Sequence, residues 1–224
     1  MQKQKPILIA IDGPASAGKT TIASRLSKRL GILYLNTGAM YRTAGLQALR
    51  SNLDPLNEEQ VLTFLNHLKI DVKYENGKQQ TYLNDENVTN LLMTEEVSAA
   101  ASQVSSLLSV RKKMVALQKS FAEKQSIIID GRDIGTVVLP NAQYKFYLDA
   151  SVEERARRRY NEYHEKGQSE FSYERILADI KERDFRDTNR EFSPLKPADD
   201  AIIIDTTNKT LDEVEKEIFS HIKR

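Results

Sequence analysis

The chain has 224 residues, 40% of them hydrophobic, which is enough to bury the core of one large domain. Its 33 Lys and Arg residues nearly balance its 32 Asp and Glu residues, so net charge gives no general attraction to nucleic acid or to anionic membranes. Cysteine is absent, which excludes a disulfide framework, a thiolate metal site and a cysteine nucleophile.

The first elements in chain order are a strand, a glycine-rich loop and a helix. The apolar run from Pro6 to Ile11 ends in Asp12 and Gly13, and apolar residues recur on one helical face between Lys19 and Leu30. The run is too short for a signal sequence or a membrane-spanning helix. Together with the lack of cysteine, this predicts a cytoplasmic protein that does not bind membranes.

The next segment changes character after a second strand and helix. We predict a strand at residues 31–35 and a helix at about 39–49. Two strand-like runs, 71–75 and 80–84, then flank the Asn76-Gly77 pair, which is typical of a tight hairpin turn. The hairpin predicts an inserted subdomain between about 52 and 90.

Strands and helices alternate through the rest of the chain. Two helices are expected between 94 and 124, strands at 126–129, 144–148 and 201–205, and helices at about 151–164, 173–186 and 211–223. The spacing of Ser151 and Glu154 predicts a capping box at the start of the charged helix. The fold class is therefore α/β, with a five-stranded parallel sheet flanked by helices and ligands at the carboxyl ends of the strands.

The loop after the first strand carries the strongest motif. Residues 13–20 read Gly-Pro-Ala-Ser-Ala-Gly-Lys-Thr, which satisfies G-x-x-x-x-G-K-[ST] in its proper strand-loop-helix context. The backbone N–H groups are expected to bind the phosphates of ATP, Lys19 to reach the terminal phosphates from an exposed position, and Thr20 to bind Mg²⁺. The predicted ATP-binding residues are Gly13, Pro14, Ala15, Ser16, Ala17, Gly18, Lys19, Thr20 and Thr21.

The phosphate loop alone does not separate a kinase from a switch GTPase or a motor ATPase. The nearest guanine-reading candidate, Asn208 to Asp212, has one residue too many and follows the last strand. The chain is short and nearly neutral for a DNA-remodelling motor. Both observations favour a small-molecule kinase.

Arginines crowd the predicted helix pair between 151 and 190. Acidic residues are equally dense there, so part of this charge belongs to a solvated surface. The sharper interpretation is a lid that brings guanidinium groups to a phosphoryl group in transfer and excludes water. Arg155 and Arg159 are one helical turn apart and can point the same way.

The chain resembles the bacterial cytidylate kinases, which are P-loop nucleoside monophosphate kinases. The likeness covers nearly the whole chain and rests on IDGPASAGKT, NTGAMYR at 36–42, SAAASQVSS and SVR around 98–111, DGRDIGTVVLP at 130–140, ASVEERARRR at 150–159 and KERDFRDTNR ending at 190. It implies a core P-loop domain at 1–38, 94–150 and 191–224, a CMP-binding subdomain with the hairpin insertion at 39–93, and a lid with its adjoining helix at 151–190.

The resemblance also implies transfer of the γ-phosphate of ATP to CMP or dCMP, with Mg²⁺, by a monomer without nucleic-acid partners. Lys19, Arg132, Arg155, Arg159 and Arg190 would be catalytic, and Arg158 would bind ATP. Arg157 occupies the variable place of the lid pattern and is expected at the surface. The CMP-binding residues would be Thr37, Arg42, Arg132 and Arg190 around the phosphate, Ser102, Arg111 and Asp133 at the base, and Arg183 and Asp187 at the ribose.

The base assignment agrees with hydrogen-bond chemistry. Cytosine offers an amino donor at N4 and acceptors at N3 and O2, which suit the acceptor Asp133 and the donor Arg111. Uracil reverses two of these roles, at a cost of roughly 1 to 3 kcal/mol for each buried mismatch. We therefore expect CMP and dCMP to be preferred over UMP.

Two questions stay open from the sequence. A kinase for UMP, AMP or shikimate, or a regulatory protein that binds ATP without turnover, carries the same phosphate loop. Asp130, after an apolar strand, can bind Mg²⁺ through water or order the phosphate loop, and Arg132 and Asp133 can form a local ion pair.

Overall fold

The computed structural model describes residues 6–75, 77–123, 125–165, 167 and 171–222. In chain order its strands and α-helices are β1 (Leu8–Asp12), α1 (Lys19–Leu30), β2 (Leu33–Asn36), α2 (Thr37–Arg50), α3 (Glu58–Leu65), β3 (Ile70–Glu75), β4 (Lys78–Leu83), β5 (Glu86–Asn87), α4 (Glu95–Val104), α5 (Leu108–Ala122), β6 (Ile127–Gly131), β7 (Tyr144–Asp149), α6 (Val152–Glu165), α7 (Tyr173–Asn189), β8 (Ile202–Asp205) and α8 (Leu211–His221).

The chain divides into two compact units, Met1–Leu33 with Ser126–Arg224 and Tyr34–Gln125. The second unit includes α4 and α5, so it extends beyond the 39–93 segment expected from the sequence. Its hairpin and its helices α2, α4 and α5 pack together in this unit.

The main sheet has five strands in the order β2-β6-β1-β7-β8. The strands β6, β1, β7 and β8 run parallel, with Asp12 opposite Gly131 on one side and Tyr147 on the other. Residues 9–11 of β1 and 127–129 of β6 are fully buried apolar residues, as expected of a sheet covered on both faces. The predicted five-stranded parallel sheet is confirmed, and β1, which leads into the phosphate loop, is its middle strand.

In the second unit, α2 and α4 pack at close range. A Cβ at Gly45 would lie 2.7 Å from the Ala101 amide nitrogen, so the absence of a side chain permits this approach. The predicted hairpin is confirmed as antiparallel β3 and β4, and the short β5, which the sequence did not indicate, adds a third strand. The turn residue Asn76 lies outside the described residues, and Gly77 has a φ of 71°.

The predicted helices are present with ends shifted by at most about three residues, and one further helix and the positions of two capping boxes differ from the sequence analysis. Helix α3, which Asn57 caps by accepting from the Gln60 amide at 3.1 Å, was not predicted. Half of the predicted capping box is present, since the Glu154 amide donates to Ser151 Oγ, but the Glu154 carboxylate binds two arginines instead. A complete capping box occurs at Thr210, before α8. Among the described residues, no helix is long and apolar enough to cross a membrane.

Candidate active site

The phosphate loop lies between β1 and α1, where the motif predicts it. Gly13 has a φ of 144°, and a Cβ there would lie 2.0 Å from the Leu148 carbonyl oxygen, so only glycine fits beside β7. Gly18, with a φ of 86°, begins α1, and no described side chain caps that helix. Its first turn carries no acidic residue. Backbone N–H groups and the helix dipole at this terminus suit a phosphate chain.

Lys19, the first residue of α1, is buried against the backbone of the phosphate loop. Its Nζ donates a hydrogen bond to the Pro14 carbonyl oxygen at 2.5 Å, and the residue is only 5% exposed. Burial lowers the pKa of Lys19 well below its usual value, and the charge of Arg132 adds to this effect, while Asp130 opposes it. The expectation of an exposed side chain is wrong, because the loop backbone folds over the amine.

Thr20 and Asp130 form a direct hydrogen bond. Thr20 Oγ1 donates to Asp130 Oδ2 at 3.0 Å, and Asp130 is buried on β6. The carboxylate thus contacts the first turn of α1 from the neighbouring strand. The hydroxyl and the carboxylate are oxygen donors of the kind that Mg²⁺ prefers. No group of three or more acidic, histidine or cysteine residues that could hold a metal occurs in the described part of the chain.

Asp12 is a site residue that sequence reasoning missed. It ends β1, is buried, and accepts hydrogen bonds from the amides of Ile134 and Gly135 at 2.8 and 2.7 Å. Burial raises the pKa of Asp12 to about 6, against the lowering effect of these two bonds and of Lys19, and with a further rise from Asp133. The available signal was a carboxylate at the end of a fully apolar strand, directly before the phosphate loop.

Arg132, directly after β6, forms an ion pair with Asp187 of α7. Arg132 Nε donates to Asp187 Oδ2 of α7 at 2.9 Å, and Arg190 Nη1 lies 3.6 Å from Asp187 Oδ1. Burial alone would raise the pKa of Asp187, but the charges of Arg132, Arg183 and Arg190 hold it below its usual value. Asp187 therefore joins the arginines of two motifs.

Arg155 is a buried arginine near the start of α6, the first helix of the predicted lid. Its side chain is 6% exposed, and its Nη2 lies 2.7 Å from Asp184 Oδ2 on α7. It also donates to the carbonyl oxygens of Ala150 at 2.9 Å and of Ala15, in the phosphate loop, at 3.3 Å. Arg155 thus links α6, α7 and the phosphate loop.

The other lid arginines have separate surroundings. Arg158 donates from Nη1 to Thr206 Oγ1 at 3.1 Å and from Nη2 to the Thr206 carbonyl oxygen at 2.5 Å, just after β8. Arg159 donates to the Tyr163 hydroxyl at 3.0 Å and lies over its ring. Arg157 is 65% exposed and pairs with Glu154, which is the surface position expected for it. Of these four arginines, all within the described part of the chain, only Arg155 donates a hydrogen bond to the phosphate loop.

In the second unit, Thr37 begins α2 in a tightly held turn. Asn36 Oδ1 caps the helix by accepting from the Ala39 amide at 3.1 Å, and Thr37 is buried. The backbone N–H of Asn36 donates to Gln79 Oε1 of the hairpin at 2.8 Å. The inserted hairpin therefore orders the turn that carries the predicted phosphate ligand Thr37.

Two of the three predicted base-binding residues, Ser102 and Arg111, lie on α4 and α5, and the third, Asp133, follows β6. Arg111 is buried, donates from Nη1 to the Ser105 carbonyl oxygen at 3.2 Å, and has its guanidinium 5.6 Å from the centre of the Tyr41 ring. The Ser102 hydroxyl is buried and has no hydrogen-bond partner among the described residues. Arg42 Nε lies 3.4 Å from Ser98 Oγ. An unpartnered buried hydroxyl beside a helix that carries Arg111 is a feature that a polar ligand would satisfy.

The sequence matches the family model described as cytidylate kinase over residues 9–224. Curated cytidylate kinases from Lactobacillus johnsonii and Halalkalibacterium halodurans are 48% and 46% identical over 216 and 219 residues. The alignments cover 96% and 98% of this chain and 94% and 98% of the two relatives. A gluconokinase structure from Sinorhizobium meliloti shares the fold, with a TM-score of 0.50, 12% identity and coverage of 97% and 92% of the two chains.

Proposed function

The chain belongs to the cytidylate kinase family, and we propose that it transfers the γ-phosphate of ATP to CMP or dCMP, giving ADP and CDP or dCDP. The observation that carries the proposal is the family match over residues 9–224, in a chain whose phosphate loop begins at the middle strand of its main sheet. The enzyme is an ATP-dependent phosphotransferase.

The phosphate loop binds the triphosphate. The N–H groups at the start of α1 and the Lys19 ammonium neutralise the phosphate oxygens, and Thr21 and Arg158 complete the ATP contacts. Mg²⁺ would be held by Thr20, with Asp130 acting through water, and would neutralise charge that develops on the phosphates. The Thr20–Asp130 bond at 3.0 Å supports this assignment, since it directs both oxygens to one place.

The acceptor phosphate binds to arginines. Arg132 and Arg190 share the Asp187 carboxylate, so this cluster keeps one net positive charge for a CMP phosphate. Thr37 and Arg42 are proposed to bind the same phosphate, and Arg183 with Asp187 the ribose. The short distances from Asp187 to two guanidiniums support a role in orienting them as well.

The base is read by complementary donors and acceptors. Asp133 accepts from the N4 amine of cytosine, Arg111 donates to N3 and O2, and Ser102 supplies its hydroxyl. The cation–π contact of Arg111 with the Tyr41 ring and its bond to the Ser105 carbonyl oxygen support this role, because both restrict the orientation of the guanidinium. The buried and unpartnered Ser102 hydroxyl supports it as well.

The reaction is an in-line displacement without a covalent enzyme intermediate. An oxygen of the CMP phosphate forms a bond to Pγ while the bond from Pγ to the bridging oxygen breaks, and ADP leaves with that electron pair. Lys19, Arg132, Arg155, Arg159 and Arg190 stabilise the charge on the transferring group. Closure of the helix pair α6–α7 would exclude water from it.

A panel of acceptors tests the proposal. Purified protein with ATP and Mg²⁺ is expected to release ADP with CMP and dCMP, and at least about a hundredfold more slowly with UMP, given two base mismatches. Comparable rates with UMP, AMP or shikimate would overturn the acceptor assignment. ATP binding without ADP release for any acceptor would indicate a regulator. We also propose that the protein is a monomer, which sedimentation of the purified chain would check. We propose a cytoplasmic location for it as well.

A further inference from the structure

We infer that Asp12 is a positioning residue that holds the loop Arg132–Gly135 in the conformation needed to bind the acceptor nucleotide. The inference rests on the proposed function for the identity of that acceptor. It assigns a role to a buried carboxylate that takes no part in the transfer itself.

The Asp12 carboxylate accepts one hydrogen bond at each oxygen, from the backbone amides of Ile134 and Gly135. We call this pair of hydrogen bonds the Asp12 clasp. Asp12 Oδ1 accepts from the Ile134 amide at 2.8 Å, and Oδ2 accepts from the Gly135 amide at 2.7 Å. Each oxygen therefore serves one backbone donor, and both bonds are short and fully buried. Hydrogen bonds to an ionised acceptor are roughly twice as strong as neutral ones.

The clasp acts where the acceptor loop needs support. After Asp133, which has φ of −145° and ψ of 26°, the chain forms a single wide turn, Ile134–Val138. The carbonyl oxygens of Asp133 and Ile134 accept bonds from residues within and just after that turn. The first amides of the turn, those of Ile134 and Gly135, donate instead to Asp12.

The two amides that donate to Asp12 belong to the residues directly after Arg132 and Asp133, which carry the proposed acceptor contacts. Arg132 and Asp133 precede Ile134, so a shift of the Ile134 amide rotates the peptide that carries Asp133. Asp12, at the end of the central strand, is the more rigid partner, because it lies opposite Gly131 and Tyr147 in the sheet. The strand thereby sets the direction of the loop.

The opposite side of the loop is closed by β7. A Cβ at Gly135 would lie 3.3 Å from Lys145 Cδ and 3.4 Å from Asp12 Oδ2. Lys145 is itself fixed, since its Nζ donates to Asp200 at 2.8 Å and to the Pro140 carbonyl oxygen at 2.6 Å. An added methyl group at Gly135 would therefore lie in close contact with Lys145 and in ordinary van der Waals contact with Asp12.

The variant Asp12→Asn keeps the size of the side chain but presents one oxygen and one NH₂ group to two N–H donors. One of the two bonds is therefore lost. We expect KM for CMP to rise about tenfold, with KM for ATP within about twofold, because one charged hydrogen bond is removed from the acceptor loop only. Asp71→Asn, at an exposed strand carboxylate that accepts from the Val72 amide, is the matched control and should keep wild-type kinetics.

A milder variant changes the donor residue Gly135 instead of the acceptor Asp12. Gly135→Ala places a methyl group 3.3 Å from Lys145 Cδ and 3.4 Å from Asp12 Oδ2, so it displaces the Gly135 amide only slightly and should raise KM for CMP in the same direction by a smaller factor. Because both changes weaken one contact, the double variant should lose less than the product of the two single effects. Gly135→Ala also keeps the test open if Asp12→Asn does not fold.

Hydrogen exchange measures the clasp without relying on turnover. In Asp12→Asn the amides of Ile134 or Gly135 should lose protection, while those of β6 keep it. A KM for CMP within twofold of wild type, an equal rise in KM for ATP, or unchanged exchange at both amides would each overturn the inference. If the wild type does not phosphorylate CMP at all, the proposed function fails, and the exchange measurement still decides whether Asp12 holds the loop.

Discussion

Arg132 Nε donates a hydrogen bond to Asp187 Oδ2 at 2.9 Å, joining two motifs that lie 55 residues apart. The same carboxylate faces Arg190, whose Nη1 is 3.6 Å from Oδ1. A single buried acid between two guanidiniums fixes their positions and leaves the group cationic. Such an arrangement suits a phosphate ligand, whereas two arginines without the acid would repel each other.

Asp187→Asn is expected to damage both folding and acceptor binding. The change leaves the buried Arg190 side chain and the partly buried Arg132 side chain without their shared charge partner, which costs up to about 3 kcal/mol. Urea unfolding at neutral pH should show that loss in the free energy of unfolding, and KM for CMP should rise about tenfold or more. Glu182→Gln, in an exposed ion pair with Arg186, is the control and should change stability by less than about 0.5 kcal/mol. Equal effects of the two variants would contradict the role of Asp187.

Lys19→Met is expected to reduce turnover strongly while the fold is kept. Methionine retains most of the buried stem of Lys19 but removes the charge that meets the terminal phosphates. Loss of one such donor lowers kcat by about 10² to 10³. Lys28→Met, at an exposed lysine of the same helix, provides the control. Circular dichroism should be unchanged in both variants, and wild-type activity in Lys19→Met would remove this residue from the mechanism.

Asp133→Asn is expected to weaken base selectivity more than ATP binding. An amide offers both a donor and an acceptor, so it can face O4 of uracil as well as N4 of cytosine. The ratio of kcat/KM for CMP over UMP should fall by about tenfold or more, while KM for ATP stays near the wild-type value. A fall in ATP affinity with selectivity intact would show that Asp133 has a structural role only.

Local patterns in the sequence predicted most of the fold. Short apolar runs gave all five strands of the main sheet, and the Asn-Gly pair gave the hairpin, because both depend on residues close in sequence. Helix α3 was missed between polar loops, although Asn57 is a standard helix cap. The short strand β5 has two residues, too few for any periodicity.

Less of the candidate site than of the fold could be predicted from local sequence patterns. The motif identified Lys19, but its burial depends on how the loop backbone folds over the amine. The contact of Asp12 with Ile134 and Gly135 spans 122 and 123 residues, and no local pattern encodes it. The pairing of Arg132 with Asp187, 55 residues away in sequence, likewise follows from the packing of α7.

Asp12 also predicts a pH dependence of stability. Burial raises the pKa of Asp12 to about 6 from its ordinary value of 3.8, so between these values the folded chain binds more protons than the unfolded chain. The contribution of this group therefore makes the free energy of unfolding fall as pH rises from about 4 to about 6. Asp133 and Lys19 face the same carboxyl and act on it in opposite directions. Asp12→Asn cannot titrate, so the wild type should lose roughly 1 kcal/mol relative to this variant between pH 5 and pH 7. Urea unfolding of both proteins at the two pH values measures that difference, and parallel pH profiles would show that the carboxyl is ionised throughout.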